Sequence, residues 1–183
     1  MKECYIFLAE GFEEIEALTV VDILRRDGIV IKTVSITRDK QVEGAHGITV
    51  IADKVLKDIE LKDAALLILP GGMPGTTNLK ECDELMDMVR QFAGTNRRIA
   101  AICAAPTVLG SLGLLEGKKA CCYPGMESGL TGAEVLEDEV VTDGNITTSR
   151  GMGTAIPFAL ELVRLFDSKT EAMAMKRKIV YNH

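Results

Sequence analysis

Apolar runs of strand length, several followed by segments of helical period, constrain this chain most. The runs fall at Cys4–Ala9, Ile29–Ile36, Ala65–Leu69, Arg98–Ile102 and Lys119–Tyr123. Glu13 to Arg26 reads as the first helix, with acids in its opening turn, Arg25 and Arg26 in its last, and Gly28 as the stop signal. Leu79 to Phe92, stopped by Gly94, reads as the second, Thr154 to Phe166 as the third and Ser168 to Lys178 as the fourth. Alternation of this kind predicts an α/β fold. Val42 to Ala52 and Glu139 to Ser149 instead look like β-hairpin arms, the second turning at Asp143-Gly144, and are expected to decorate the sheet edges. At 183 residues, with no internal repeat, low-complexity tract or Pro/Gly-rich linker, a single domain over 1–183 is expected.

Composition removes several classes of function. Apolar residues at 47% and charged residues at 26% match an ordinary globular domain rather than a disordered chain. Pro106 and Gly110 break the longest apolar stretch, and the run at Tyr5-Ile6-Phe7-Leu8-Ala9 is too short for a signal peptide, so a cytoplasmic protein without membrane contact is expected. A net charge of −6 disfavours nucleic acid, and the one basic cluster, Lys176-Arg177-Lys178, reads as a solvated helix end. Five cysteines, an odd number with no CxxC pair, argue for reduced thiols over a disulfide framework or a structural zinc site.

In a sheet of this class, ligands bind at the carboxyl ends of the strands, where the strand order reverses. Four segments end there: Leu8-Ala9-Glu10-Gly11, Leu69-Pro70-Gly71-Gly72, Ile102-Cys103-Ala104 and Cys122-Tyr123-Pro124-Gly125. Cys103 stands at a strand-to-helix junction whose next residues are small, the requirement of a nucleophile elbow, and Pro106 suits the first turn of a helix. The helix start is expected to lower the thiol pKa. The same spacing also suits a buried, unreactive cysteine. Gly71 and Gly72 offer backbone N–H groups to an oxyanion or other anion, or else form a plain tight turn.

Glu16 lies one turn into the first helix, between Ile15 and Ala17. Near a thiolate its pKa would rise, and the protonated acid could donate to sulfur or shuttle a proton; otherwise it solubilises the helix, the reading given to Glu13 and Glu14. Histidine is scarce: His183 is terminal, and His46 lies in the first hairpin, where only folding or a partner subunit could bring it to the site. A Cys–His hydrolase is therefore disfavoured. No ligand spacing for a metal and no cofactor motif emerges. Thr148-Ser149-Arg150-Gly151-Met152-Gly153-Thr154 suits an anion-binding helix start or a simple cap.

These motifs together resemble the ThiJ/PfpI superfamily, in the branch of the Parkinson-disease protein deglycase and its bacterial relatives. The resemblance runs end to end, through Leu8-Ala9-Glu10-Gly11-Phe12-Glu13-Glu14-Ile15-Glu16, Leu69-Pro70-Gly71-Gly72, Ala100-Ala101-Ile102-Cys103-Ala104-Ala105-Pro106 and Thr148-Ser149-Arg150-Gly151 with Gly153-Thr154. It implies a flavodoxin-like three-layer sandwich with a mainly parallel sheet, and a homodimer. It also implies that Cys103 is the reactive, oxidisable cysteine, Glu16 its protonated partner, and the amides of Gly72 and Ala104 the stabilisers of charge at sulfur. Two positions depart from the human relative: Tyr123 replaces a pocket histidine before a proline, and His46 replaces an arginine that reaches across the dimer. Ala104 stands where the intracellular protease branch has a histidine, which speaks against peptidase activity.

Two functions follow as expectations. One is a cofactor-free glyoxalase or deglycase acting on methylglyoxal, glyoxal or their early protein adducts through Cys103 and Glu16. The other is a redox sensor or stress chaperone whose Cys103 is oxidised to the sulfinate.

Overall fold

A computed structural model describes residues 3–182; His183 lies outside them. In chain order its strands are β1 (Glu3–Leu8), β2 (Ile31–Ser35), β3 (Gln41–Glu43), β4 (Thr49–Ile51), β5 (Lys54–Val55), β6 (Ala64–Leu69), β7 (Arg98–Ile102), β8 (Lys119–Ala120), β9 (Glu134–Val135), β10 (Val140–Asp143) and β11 (Ile146–Ser149). The α-helices are α1 (Glu14–Arg26), α2 (Gly75–Glu81), α3 (Asp83–Ala93), α4 (Pro106–Ser111), α5 (Ala155–Phe166) and α6 (Lys169–Lys178).

Seven strands form the main sheet in the order β10-β11-β7-β6-β1-β2-β5, parallel throughout except for the antiparallel pair β10 and β11. Successive side chains of the central strands point to opposite faces, and both faces are covered. Tyr5 and Phe7 of β1, Leu67 and Leu69 of β6, and Ile99 and Ala101 of β7 pack with residues of α2, α3 and α4. Ile6 and Leu8, Leu66 and Ile68, and Ala100 and Ile102 pack with α1, α5 and α6. Burial on both sides explains why these strands are continuously apolar rather than alternating, and each fully buried large side chain contributes about 1.5–3 kcal/mol. The α/β three-layer sandwich read from the sequence is the observed fold.

Helix ends follow local chemistry. Gly28 takes φ 81° and ends α1 with its N–H donating to the Arg25 carbonyl. Ser168 caps α6 by accepting from the Glu171 amide at 3.1 Å. The expected second helix is two helices, because Cys82 adopts an extended ψ of 92° between α2 and α3. Asp83 and Glu84 in the first turn of α3 are the sequence sign of that restart.

Two strand expectations change. The run at Lys119–Tyr123 is a strand only at Lys119–Ala120, where it pairs with β9 outside the main sheet. The neighbouring β11 already has β7 and β10 on its flanks, and the amides beyond β8 go elsewhere: Cys121 donates to Thr148 Oγ1 and Tyr123 to the Cys103 carbonyl. The first hairpin, β3 and β4, is a separate two-stranded ribbon rather than an edge decoration. Its inner end is fixed over the end of β1, with Gly11 N–H donating to the Glu43 carbonyl and Ala45 N–H to that of Phe12. The second hairpin does extend the sheet edge, and Gly144 supplies its left-handed turn at φ 61°.

Strand order reverses at β1, whose two partners β2 and β6 lead to opposite edges. The loops beyond β1, β6 and β7 therefore meet at one crevice.

Candidate active site

Cys103 follows β7 directly and adopts φ 66°, a left-handed conformation uncommon for a residue with a side chain. Its amide donates to the Ser149 carbonyl at 2.9 Å, and its carbonyl accepts from the Tyr123 amide at 2.8 Å. The elbow is thus pinned from both sides. Ala104 and Ala105 leave room for the turn, and α4 begins with Pro106 in its first turn.

Glu16 enters from α1 and is 1% exposed. Its Oε2 accepts the Gly71 amide at 2.9 Å, and the carboxyl is hydrogen-bonded to the Cys103 sulfur. Only glycine fits between them: a Cβ on Gly71 would sit 2.5 Å from the Cys103 Cβ and 2.6 Å from Glu16 Oε2. The Gly71 amide is therefore committed to Glu16 rather than to an oxyanion, which corrects that sequence assignment. Gly72, at φ 94°, turns its amide to the Cys103 sulfur, and the Ala104 amide joins it.

The electrostatics of the pair differ from expectation. Burial pushes the Cys103 thiol up to about 12, the Glu16 carboxylate adds to that rise, and the amides of Gly72 and Ala104 oppose it. Desolvation outweighs the two amides, so the direction is upward, against the lowering expected from a helix start. Burial also pushes Glu16 up to about 7, against the hydrogen bonds from Cys103 and Gly71. One proton thus serves two groups. It rests on sulfur and is donated to a carboxylate, or rests on Glu16 and is donated to a thiolate held by two amides.

An open cavity of about 450 Å³ leads to the sulfur, lined by residues including Glu16, His46, Cys103, Tyr123, Arg150 and Met152. Of the candidates named from the sequence, Cys103, Glu16, Tyr123, His46 and Arg150 line this cavity, whereas Gly71, Gly72 and Ala104 are not part of its lining. Tyr123 is 51% exposed at the rim, its ring beside Gly151. Arg150 is half-buried, donates from Nη1 to the Glu137 carbonyl at 3.3 Å, and has no carboxylate within ion-pair distance among the described residues.

Folding brings His46 to the site without a partner. Its amide donates to Glu14 Oε1 at 2.8 Å, its Nδ1 lies 2.9 Å from Glu14 Oε2, and Glu13 Oε2 is 3.7 Å from the ring nitrogen. The Glu14 hydrogen bond and both negative charges raise the His46 pKa. Glu14, read from the sequence as a solubilising residue, is 3% exposed and holds the ribbon tip instead. Its only sequence sign is position, in line with the buried Ala17 at i+3 and Val21 at i+7. Donor atoms of Glu13, Glu14 and His46 all lie within 4.8 Å, close enough for a cation; sequence spacing misses this group because His46 comes from 32 residues away. No helix among the described residues is long and apolar enough to cross a membrane.

Residues 2–165 match the family model described as the DJ-1/PfpI family. Protein DJ-1 homolog B of Arabidopsis thaliana is 41% identical over 181 residues, covering 98% of this chain and 41% of that protein. The chain thus spans about two fifths of the length of that curated plant relative. The Caenorhabditis elegans protein named glutathione-independent glyoxalase DJR-1.2 is 31% identical over 171 residues, 93% of this chain and 91% of its own length. Among solved structures, oxidized Toxoplasma gondii DJ-1 superposes over the full length of both chains with a TM-score of 0.95 at 32% identity. On sequence, fold and the arrangement of the elbow, the chain belongs to the DJ-1/PfpI family.

Proposed function

We propose that the chain is a cofactor-free glyoxalase that converts methylglyoxal or glyoxal to the 2-hydroxy acid, with early glyoxal adducts on proteins as further substrates. The observation that carries this reading is the sulfur itself, hydrogen-bonded to a buried carboxyl, flanked by two amides and open to a cavity. The name of the nematode relative supports the same chemistry.

Transfer of the shared proton to Glu16 leaves a thiolate, which forms a C–S bond with the aldehyde carbon. Glu16 gives that proton to the new alkoxide, yielding a hemithioacetal. As carboxylate, Glu16 then removes the proton from the same carbon and the electron pair moves toward the adjacent carbonyl to give an enediolate; the first hydroxyl passes its proton to the second oxygen, and Glu16 returns its proton to the second carbon, which gives a 2-hydroxy thioester. Water cleaves the C–S bond, releasing the acid and the thiol. The sum is addition of one water with no net oxidation, so no redox partner is required. Methylglyoxal consumption with lactate formation tests this: Cys103→Ser abolishes turnover, and Glu16→Gln lowers it by about 10²–10⁴-fold, the range of general acid–base catalysis. Undiminished turnover in both variants would sink the mechanism.

One observation favours a second reading, redox sensing. The two amides and a protonated Glu16 would also bind the oxygens of a cysteine sulfinate. Mild peroxide followed by intact-mass spectrometry separates the two. Addition of two oxygens at Cys103 without any methylglyoxal turnover favours the sensor.

The homodimer is likewise a proposal. Ile15 and Leu18 of α1 are exposed, as are Ile48 and Ile51 at the β3–β4 ribbon. An apolar surface formed by these residues suits a second copy of the chain.

A further inference from the structure

The cavity is larger than a three-carbon aldehyde needs, and one of its walls carries a cation that the mechanism does not use. Its volume of about 450 Å³ lies in the range that encloses a drug-sized ligand, whereas methylglyoxal reacts through two adjacent carbons at the sulfur. Arg150, on the segment between β11 and α5, lines that cavity. Its Nη1 is engaged by the Glu137 carbonyl, while Nε and Nη2 have no hydrogen-bond partner among the described residues. Arg150 shares that lining with Cys103 and Glu16, and no step at sulfur calls on its charge. Glu13 and His46 line the same cavity, with Glu14 bonded to the His46 ring. An anion entering the crevice is therefore repelled by the Glu13 carboxylate and drawn to Arg150. A planar guanidinium with two free edges matches a carboxylate or a phosphate.

We infer that the site selects 2-oxoaldehydes that carry an anionic group at the end remote from the aldehyde, with Arg150 as the residue that reads it. The inference rests on the thiolate–aldehyde reading above and adds a substrate class to it. The chemistry at sulfur is unchanged: the aldehyde carbon bonds to Cys103, the adjacent ketone becomes the carbinol, one water is consumed, and the remote anion passes through intact. Tyr123 and Met152, both more than half exposed at the rim, supply apolar contact for the intervening carbons.

Three substrates test it on the intact chain. These are methylglyoxal, which is neutral; 4,5-dioxopentanoate, which ends in a carboxylate and yields 2-hydroxyglutarate; and hydroxypyruvaldehyde phosphate, which ends in a phosphate. The expected result is a kcat/KM at least tenfold higher for one or both anionic substrates than for methylglyoxal, with the preference shrinking as salt is raised. In Arg150→Gln the ratio of anionic to neutral kcat/KM falls about tenfold, mainly through KM, and Arg150→Lys recovers part of it. The two anionic arms tell a carboxylate reader from a phosphate reader. Cys103-dependent turnover of methylglyoxal with no anion preference, or a preference unchanged in Arg150→Gln, overturns the inference and leaves the glyoxalase reading standing. Absence of turnover with all three overturns both.

Discussion

Glu16 is kept from water by the same contacts that bring it to sulfur, and this has a thermodynamic consequence. In the unfolded chain its carboxyl ionises near its ordinary value of 4.5, while in the native protein it holds its proton to about 7. Below 4.5 both states are protonated and nothing is lost. Between 4.5 and 7 the unfolded state releases a proton that the native state retains, so stability falls as pH rises, and above 7 the loss levels off at about 3 kcal/mol. Glu16→Gln keeps an acceptor for Gly71 and a donor for Cys103 without the charge. Denaturant melts should show this variant gaining on the wild type from pH 5 to pH 8; a constant difference would contradict the burial of an ionisable group. Gly71 belongs to the same scale. Gly71→Ala inserts a methyl against both reacting groups, and displacement near 1 Å can cost on the order of 10²-fold in rate. Its far-UV circular dichroism should stay native while turnover and iodoacetamide alkylation of Cys103 drop together.

Among the elements, the β3–β4 ribbon is tied to α1 by one side chain, Glu14, beside its backbone bonds to the end of β1. Glu14 accepts from the His46 amide and ring at the ribbon tip, and when it is removed the donors of the exposed His46 turn to water. Glu14→Ala should cost about 0.5–1.5 kcal/mol and speed hydrogen exchange at residues 44–48 relative to the main sheet. If exchange there is unchanged, the ribbon is held by its backbone contacts alone. The contrast also explains what the sequence made legible. β1, β6 and β7, buried on both faces, announce themselves as apolar runs, and Gly28 and Ser168 mark helix ends through their own local chemistry. The break at Cys82 shows only in the acids that restart α3, and the short β8 shows nowhere, because partners far along the chain decide it: Thr148 Oγ1 and the Cys103 carbonyl take the amides that would have extended it. At the site, Cys103, Glu16, Gly72 and Ala104 are readable by motif. The raised thiol pKa, the engagement of Gly71 with Glu16 and the role of Glu14 are not, since each depends on how deeply a group is buried.

For the molecule as a whole, the proposed dimer makes a quantitative demand. Its surface would be built on Ile15, Leu18, Ile48 and Ile51, of which Ile51 is 71% exposed. Sedimentation equilibrium should give twice the chain mass for the wild type and a monomer for Ile48→Asp with Ile51→Asp; a wild-type monomer at micromolar concentration removes the proposal. The sheet itself offers no alternative route to assembly. On one side it stops at β5, two residues long, and on the other at β10, four residues preceded by Asp138 and Glu139. Edges this short, one carrying Lys54 and the other preceded by two acids, give an incoming strand few N–H and C=O groups to zip onto. Fibril growth by strand addition is thereby blunted, and a chain with so apolar a centre can remain dispersed in a crowded solution even while its crevice stays open.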